Sequence, residues 1–438
     1  MIAPLERFRF RFHDWLYYSR LPRESAGLLH FLRGAITRDR VAKLERSIDA
    51  YRFSSLPPFK GHALRKVRSN IPDPIWRERE VGWSRYSNET QDPALTRTVV
   101  FKAPGANGEK GAMLLTFEYN WLRLLSAIPD LRELEEEYDI IFSTSSSPTS
   151  YQMLALAASS LSGTVFVQSC NYSENADIEA LNPRIRCLPM LPCDWIQPGL
   201  AKPRAFAERD VDILMVANWD LFKRQWQFFE ALKSMPKDLR VVMIGQPAGR
   251  FDIDFARRTS KLFGARQDIE FYQSLRIDEV ADYQARSKVS TIFSRREGCC
   301  VAVTESLMAD TPVAMLSDAH VGPRAYINSQ TGVLLKRRRK LGPQLQSFLE
   351  RADSFQPRSW AEANISAPIS TAKLNRVLRE NAEAEGRPWT TDILEPCWRA
   401  HPTLKYNPEM ERMRPTYDAL HEKYPKLFPA DLIETSCR

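Results

Sequence analysis

Residues 290–335 read STIFSRREGCCVAVTESLMADTPVAMLSDAHVGPRAYINSQTGVLL, and the order of features in this stretch decides the fold. Val289 to Phe293 is a short apolar run, which predicts a buried strand. A polar turn ending in Glu297 and Gly298 follows, and the apolar pattern from about Val301 to Ala309 predicts a helix. Thr311 and Pro312 stop that helix, because proline lacks the N–H a helix needs and crowds the preceding turn. Val313 to Leu316 then reads as the next strand. Glu297 and Glu305 are eight residues apart, so Glu297 stands at the mouth of the helix and Glu305 about two turns inside it.

The pattern continues on both sides. Upstream, DILMVA (Asp212 to Ala217) reads as a buried strand ending in Asn218, Trp219 and Asp220. A helix from Arg224 to Leu232, strands at Arg240 to Ile244 and Asp268 to Tyr272, and a helix from Asp278 to Ser287 lead into the opening stretch. Further back, Thr98 to Lys102, Ala112 to Phe117, Asp139 to Ser143 and Thr164 to Gln168 read as strands, with helices at Leu122 to Glu137 and Tyr151 to Leu161. Strands alternating with helices predict parallel sheets covered by helices, an α/β fold in two Rossmann-like halves. Pro, Ala and charge replace the periodic pattern near Gly199 to Glu208, which places the boundary there. The expected division is a basic aromatic extension over 1–95, a first Rossmann-like domain over 96–204, a second over 205–400, and a helical segment over 401–438 crossing back to the first domain.

Carboxylates accept paired hydrogen bonds from vicinal diols, and the backbone N–H groups of Gly298, Cys299, Cys300 and Val301 at a helix N-terminus attract phosphate oxygens. A ligand with hydroxyls on either side of a diphosphate suits that arrangement. The stretch resembles the donor-binding motif of retaining GT-B glycosyltransferases of family 4: a Glu, seven residues, a second Glu, a Pro-Val strand and a late Thr-Gly. Here these are Glu297, Glu305, Pro312, Val313, Thr331 and Gly332.

The resemblance implies a GT-B architecture, two Rossmann-like domains with parallel sheets facing a central cleft. It implies metal-independent, retaining transfer of a hexose from a nucleotide diphosphate sugar to a glycan, lipid-linked or other acceptor, with no cofactor beyond that donor substrate. Glu297 would contact the transferred sugar and Glu305 the ribose, Lys223 would grip the diphosphate, and Leu275 would lie where the nucleotide base packs. The chain departs from the pattern twice. Asn218 stands where the family has an arginine, so Arg224 or a residue of the other domain would supply the missing charge, and Ala325 replaces a glutamate. By analogy Gly105, Gly108 and Lys110 of the loop PGANGEKG face the donor phosphates from the first domain, and Ser145 of STSSSPTS lies at a strand end where open α/β sheets bind ligands. The glycine loop reads more readily as a plain turn, because it lacks GxGxxG and GK[ST] spacing, and such serines often cap the next helix.

Composition bounds the alternatives. With 438 residues, 43% hydrophobic and 26% charged, the chain has the make-up of a soluble globular protein with room for two cores. No run of about 18 apolar residues predicts a membrane span, and the N-terminus is too interrupted by charge for a signal peptide, so a cytoplasmic location is expected. Seven cysteines without CxxC spacing fit reduced thiols better than a metal cluster or disulfide framework. Two DxD pairs, Asp210/Asp212 and Asp252/Asp254, are not placed on loops where a nucleotide-bound cation would sit.

The net charge of +8 is concentrated: residues 1–70 hold 15 Lys and Arg against 6 Asp and Glu. An anionic membrane surface, an anionic acceptor or nucleic acid would answer that charge, but no nucleic-acid module signature is present. Phe8 to Phe12 alternates like a strand before turning helical near Asp14, and Gly27 to Tyr51 reads as one helix. A nucleotide- or glycan-binding protein without turnover, and a basic membrane or nucleic-acid adaptor, are the other two readings of the sequence.

Overall fold

In the computed structural model, residues 2–430 are described apart from 71–97, 119, 122–123, 125–127, 129–130, 150, 338, 400, 405–406 and 426. Four helices open the chain: α1 (Ile2–Tyr18), α2 (Arg20–Ile36), α3 (Arg40–Phe53) and α4 (Pro57–Asn70). The strand expected over Phe8 to Phe12 does not form. Phe10 packs at 6.0 Å from Phe255 and 5.5 Å from Phe263, whereas Phe8 and Phe12 stack on each other at 5.8 Å, and a helix places the two sets on different faces. The single helix expected from Gly27 to Tyr51 is two. α2 ends at Ile36, and the Asp39 carboxylate accepts from Ala42 N at 2.7 Å, capping α3.

The first sheet contains β1 (Thr98–Lys102), β2 (Gly111–Thr116), β3 (Tyr138–Ser143), β4 (Val165–Gln168) and β5 (Ile185–Cys187), in that spatial order. Its helices are α5 (Leu131–Glu137), α6 (Tyr151–Ser160) and α7 (Asn175–Glu179). The N-terminal part of the helix expected over 122–137 lies largely outside the described residues. β2 to β5 are parallel, but β1 runs antiparallel to β2. Strands β1 to β4 are buried along their whole length, as expected for strands covered on both faces.

The second sheet is built from β6 (Val211–Val216), α8 (Gln225–Leu232), β7 (Val241–Gly245), α9 (Ile253–Phe263), β8 (Ile269–Gln273), α10 (Ile277–Ala285), β9 (Ser287–Ile292), α11 (Val301–Met308), β10 (Val313–Leu316) and β11 (Gly332–Leu335). Its order is β11-β10-β9-β6-β7-β8, and every pairing is parallel. The chain runs outward from β6 through β7 to β8, then returns to lay β9 on the other side of β6. That reversal between β6 and β9 is a topological switch point, where the loops leaving two adjacent strands diverge and open a crevice.

Gly332, which begins β11, has φ +154°, and a Cβ there would lie 1.9 Å from Val313 O. The late Thr-Gly of the sequence is thus a packing requirement between β10 and β11. After β11 come α12 (Leu341–Leu349), α13 (Pro357–Asn364), α14 (Ala367–Ala384), the hairpin β12 (Cys397–Arg399) and β13 (His401–Thr403), and α15 (Arg414–Lys423).

By contacts the chain divides into two compact units. One holds residues 1–18 and 196–369, including α1 and the second sheet. The other holds 19–195 and 370–438, including the first sheet. Each is a Rossmann-like α/β unit.

Candidate functional site

The switch point gathers side chains from the ends of two neighbouring strands. Asn218 lies two residues beyond β6, and Ser294 and Glu297 follow β9. Between Asn218 and α8 the chain makes a tight turn in which the Asp220 carboxylate accepts from Phe222 N at 3.5 Å, and Lys223 N donates to Asp220 O at 3.2 Å. This turn delivers Lys223 to Glu297, with which it forms a salt bridge through Glu297 Oε1. The two side chains are only 10% and 11% exposed. Burial pulls the Lys223 ammonium down. The Glu297 carboxylate beside it outweighs that, aided by Cys300 and Asp220, and leaves the ammonium above its ordinary value. Lys223 is therefore a permanent buried cation.

Backbone contacts hold the Glu297 loop. Glu297 N donates to His320 O at 3.2 Å and His320 N to Arg295 O at 2.6 Å, tying the loop to the segment after β10. Glu297 Oε2, Asn218 Oδ1 and Ser294 Oγ are buried with no hydrogen-bond partner in this structure. Orphaned buried acceptors cost free energy, and these three follow the C-terminal ends of the adjacent strands β6 and β9, where a ligand's hydroxyls or N–H groups would be received. Ser294, a small polar residue just past a strand, was not singled out from sequence; only its position relative to β6 reveals it.

Gly298, Cys299 and Cys300 lead into α11, which starts at Val301 and carries no side-chain cap. Burial first, and then the Glu297 charge, push the Cys300 thiol well above its usual range, so it stays protonated and is not a nucleophile at neutral pH. Glu305 sits farther along α11, partly reached by solvent but enclosed by protein on most sides. Burial pushes its carboxyl up to about 7, against a weaker opposing effect of the Gln284 amide at 3.4 Å.

Arg224 is placed differently from the expectation that it would supply charge to a diphosphate. Its backbone is left-handed, φ 56°, and its side chain is 1% exposed. The guanidinium pairs with Asp14 of α1, Nε to Oδ1 at 2.7 Å and Nη2 to Oδ2 at 3.1 Å, and reaches Phe293 O at 3.5 Å. Burial lowers its pKa to about 10, partly offset by Asp14. Arg224 is thus committed inside the protein. Leu275 follows β8 and packs, half-buried, against Val211, Leu214, Val242 and Ile244 of β6 and β7.

The candidates in the unit of the first sheet do not come together. Because β1 is antiparallel, the loop with Gly105, Gly108 and Lys110 lies at the N-terminal ends of the parallel strands β2 to β5, whereas Ser145 follows the C-terminal end of β3. Ser145 donates from its N at 3.2 Å and from its Oγ to the buried Glu118, which also accepts from Thr149 Oγ1 at 2.8 Å. The serine loop therefore folds around a carboxylate that sequence reading had passed over. Both DxD pairs are engaged in the structure: Asp210 with Arg240 and Arg286, Asp212 with Lys288, Asp252 as the cap of α9, and Asp254 with Arg257. Among the described residues, no three His, Cys, Asp or Glu side chains are grouped to hold a metal ion.

Residues 199–362, which contain the whole switch-point cluster, match the family model described as "Glycosyl transferases group 1". No curated protein matches the chain. Among solved structures, sucrose-phosphate synthase from Thermosynechococcus elongatus is similar at 17% identity and TM-score 0.48, over 62% of this chain and 74% of that one. Alr3699/HepE from Anabaena, in complex with UDP and glucose, is similar at 10% identity and TM-score 0.47, over 61% and 78%. The pneumococcal O-GlcNAc transferase GtfA, in complex with UDP and GlcNAc, is similar at 13% identity and TM-score 0.39, over 60% of each. The unit carrying Lys223, Glu297 and Glu305 is therefore similar to the glycosyl transferases of group 1.

Proposed function

We propose that this protein is a GT-B glycosyltransferase that moves a hexose from a nucleotide diphosphate sugar to a glycan or lipid-linked acceptor with retention of configuration. The observation that carries the reading is the buried Lys223–Glu297 pair, with Asn218 Oδ1 and Ser294 Oγ left unpartnered, at the switch point of a parallel sheet inside the segment that matches group 1. Glu297 Oε2 would accept a hydroxyl of the transferred sugar, and Glu305 would accept from the ribose. In the reaction the bond between the anomeric carbon and the phosphate oxygen breaks. The acceptor oxygen bonds to that carbon on the same face, and the acceptor proton passes to the departing diphosphate. The Lys223 ammonium and the N–H groups at the start of α11 meet the negative charge that grows on the leaving oxygen. A cytoplasmic placement with peripheral attachment to an anionic membrane belongs to the same reading.

A second reading has one observation in its favour. Asn218 replaces a cation, and Arg224 is tied to Asp14, so a nucleotide- or glycan-binding protein without turnover fits the reduced positive charge. Calorimetric titration with UDP, GDP and ADP and their hexose conjugates, followed by an assay for sugar release, separates the two. The transferase reading expects one nucleotide to bind and Glu305→Ala to weaken it at least about tenfold, with release of sugar that Glu297→Gln lowers by about 100-fold or more. Binding without any release on addition of glycan or lipid-linked acceptors would leave the second reading in its place. No binding by a folded protein would sink both.

A further inference from the structure

Helix α1 presents two apolar faces, and the second unit occupies only one of them. Toward that unit it sends Phe10 against Phe255 and Phe263, Arg7 Nε to Leu262 O at 2.8 Å, and Asp14 to Arg224. On the other side Leu5, Phe8, Phe12, Trp15 and Leu16 are each between 42% and 60% exposed. At about 100° per residue these five fall in a stripe about 100° wide, centred well away from the docked face. Phe8 and Phe12 stack at 5.8 Å, and Phe12 and Trp15 at 5.9 Å, so the outward side chains form a continuous apolar ridge. On the same wheel Arg9 and Arg11 fall on the two flanks of the ridge, and both are exposed. Arg11 also pairs with Glu230 at 2.5 Å, and both side chains stay about half-exposed.

We propose that this outward face of α1 is a docking surface for an anionic lipid bilayer. Five large apolar side chains held in water by a firmly anchored helix need a cover, and the charge around them selects it. A second copy of the chain would meet this ridge with the same face, setting Arg9 and Arg11 against their own counterparts. Anionic headgroups complement them instead, while the Phe and Trp rings enter the acyl boundary and the arginines stay at headgroup depth. The following helix repeats the design on its own unit. α2 packs Gly27 and Gly34 against α3, and exposes Leu21, Leu28, Leu29, Leu32 and Ile36 by 37% to 82% along another stripe. Among the described residues no helix is long and apolar enough to cross a membrane, so contact of this kind is peripheral.

This deepens the peripheral placement proposed above and does not depend on catalysis. The test is flotation of the full chain with vesicles of phosphatidylcholine alone, and of phosphatidylcholine mixed with phosphatidylglycerol, at low and high salt. The wild type is expected to float with the mixed vesicles and to lose most of that binding at high salt. Phe8→Ser/Phe12→Ser/Trp15→Ser should weaken it at least about tenfold, and Arg9→Glu should weaken it while reducing the salt effect. All three substituted side chains of the triple variant are exposed, so circular dichroism and nucleotide titration should match the wild type. Flotation that is absent, indifferent to anionic lipid, or unchanged in the triple variant would overturn the proposal. A dimer in solution that the triple variant makes monomeric would overturn it too, with a second copy as the cover. Loss of nucleotide binding in the wild type would count against the transferase reading and leave this one standing.

Discussion

At the residue scale, the site turns on three ionisable side chains whose surroundings give them different charge states. Lys223 and Glu297 face each other as ions in a buried setting, where removing one partner strands the other and costs about 3–5 kcal/mol. Among the described residues no cation lowers Glu305, and its carboxyl is raised from 4.5 to about 7 by burial. A carboxyl raised in the folded state binds its proton more tightly there than in the unfolded chain. Its stabilising contribution is therefore complete below pH 4.5 and is lost as pH rises through about 7, by up to about 3 kcal/mol. Denaturant midpoints measured across that window should fall for the wild type and flatten for Glu305→Gln, which should be the more stable of the two above pH 7. If Glu305 accepts ribose hydroxyls, nucleotide affinity should run the other way and strengthen as pH rises past about 7. The opposed slopes are a direct check, because a merely structural Glu305 would show only the first.

At the element scale, β10 and β11 pair so closely that Gly332 cannot carry a side chain. A Cβ would meet Val313 O at 1.9 Å while the backbone already sits at φ +154°. Gly332→Ala should cost more than about 3 kcal/mol and lower the melting temperature by about 10 °C. Gly249 is the control. Its φ is +55°, but nothing lies within 4 Å of its Cβ position, so Gly249→Ala should cost only about 1 kcal/mol. Similar losses for both would mean that the strands part easily and that the contact is not a constraint. The turn between β6 and α8 is constrained in a different way, with a left-handed Arg224 whose buried side chain compensates for the strained backbone by pairing with α1.

At the scale of the whole molecule, the first helix belongs with residues 196–369, about 200 residues downstream of it. The Asp14–Arg224 pair is a buried ion pair between α1 and the rest of that unit. Asp14→Ala leaves the Arg224 charge buried without its carboxylate and should destabilise the protein by about 3 kcal/mol. In an Arg224→Gly background, where the charge is gone and the left-handed backbone suits the residue, the same change should cost less than about 1 kcal/mol. A double-mutant cycle from chemical denaturation measures the difference, and additive losses would show that the two residues do not act as a pair. Because Arg224 directly follows Lys223, Asp14→Ala should also weaken nucleotide binding if α1 steadies the turn that presents the ammonium.

The sequence by itself determined most of the strands of the second sheet. Short apolar runs at Asp212 to Ala217, Arg240 to Ile244, Val289 to Phe293 and Val313 to Leu316 each carry their own stop signal in a Gly, Pro or polar turn, and local propensity and burial agree there. It also placed Lys223, Glu297 and Glu305 on loops and a helix of one unit. What it left open was everything that depends on long-range pairing. Alternation cannot reveal that β1 runs antiparallel, yet that one reversal carries Gly105, Gly108 and Lys110 to the sheet edge opposite Ser145. The aromatic and arginine repeat over Phe8 to Phe12 fits a strand or a helix equally well, and only the packing of Phe10 between Phe255 and Phe263 selects the helix. Arg224 reads as a free cation until Asp14 is found beside it. A salt bridge between residues 210 positions apart leaves no local trace, because it is the fold, and no periodicity in the chain, that brings the two charges together.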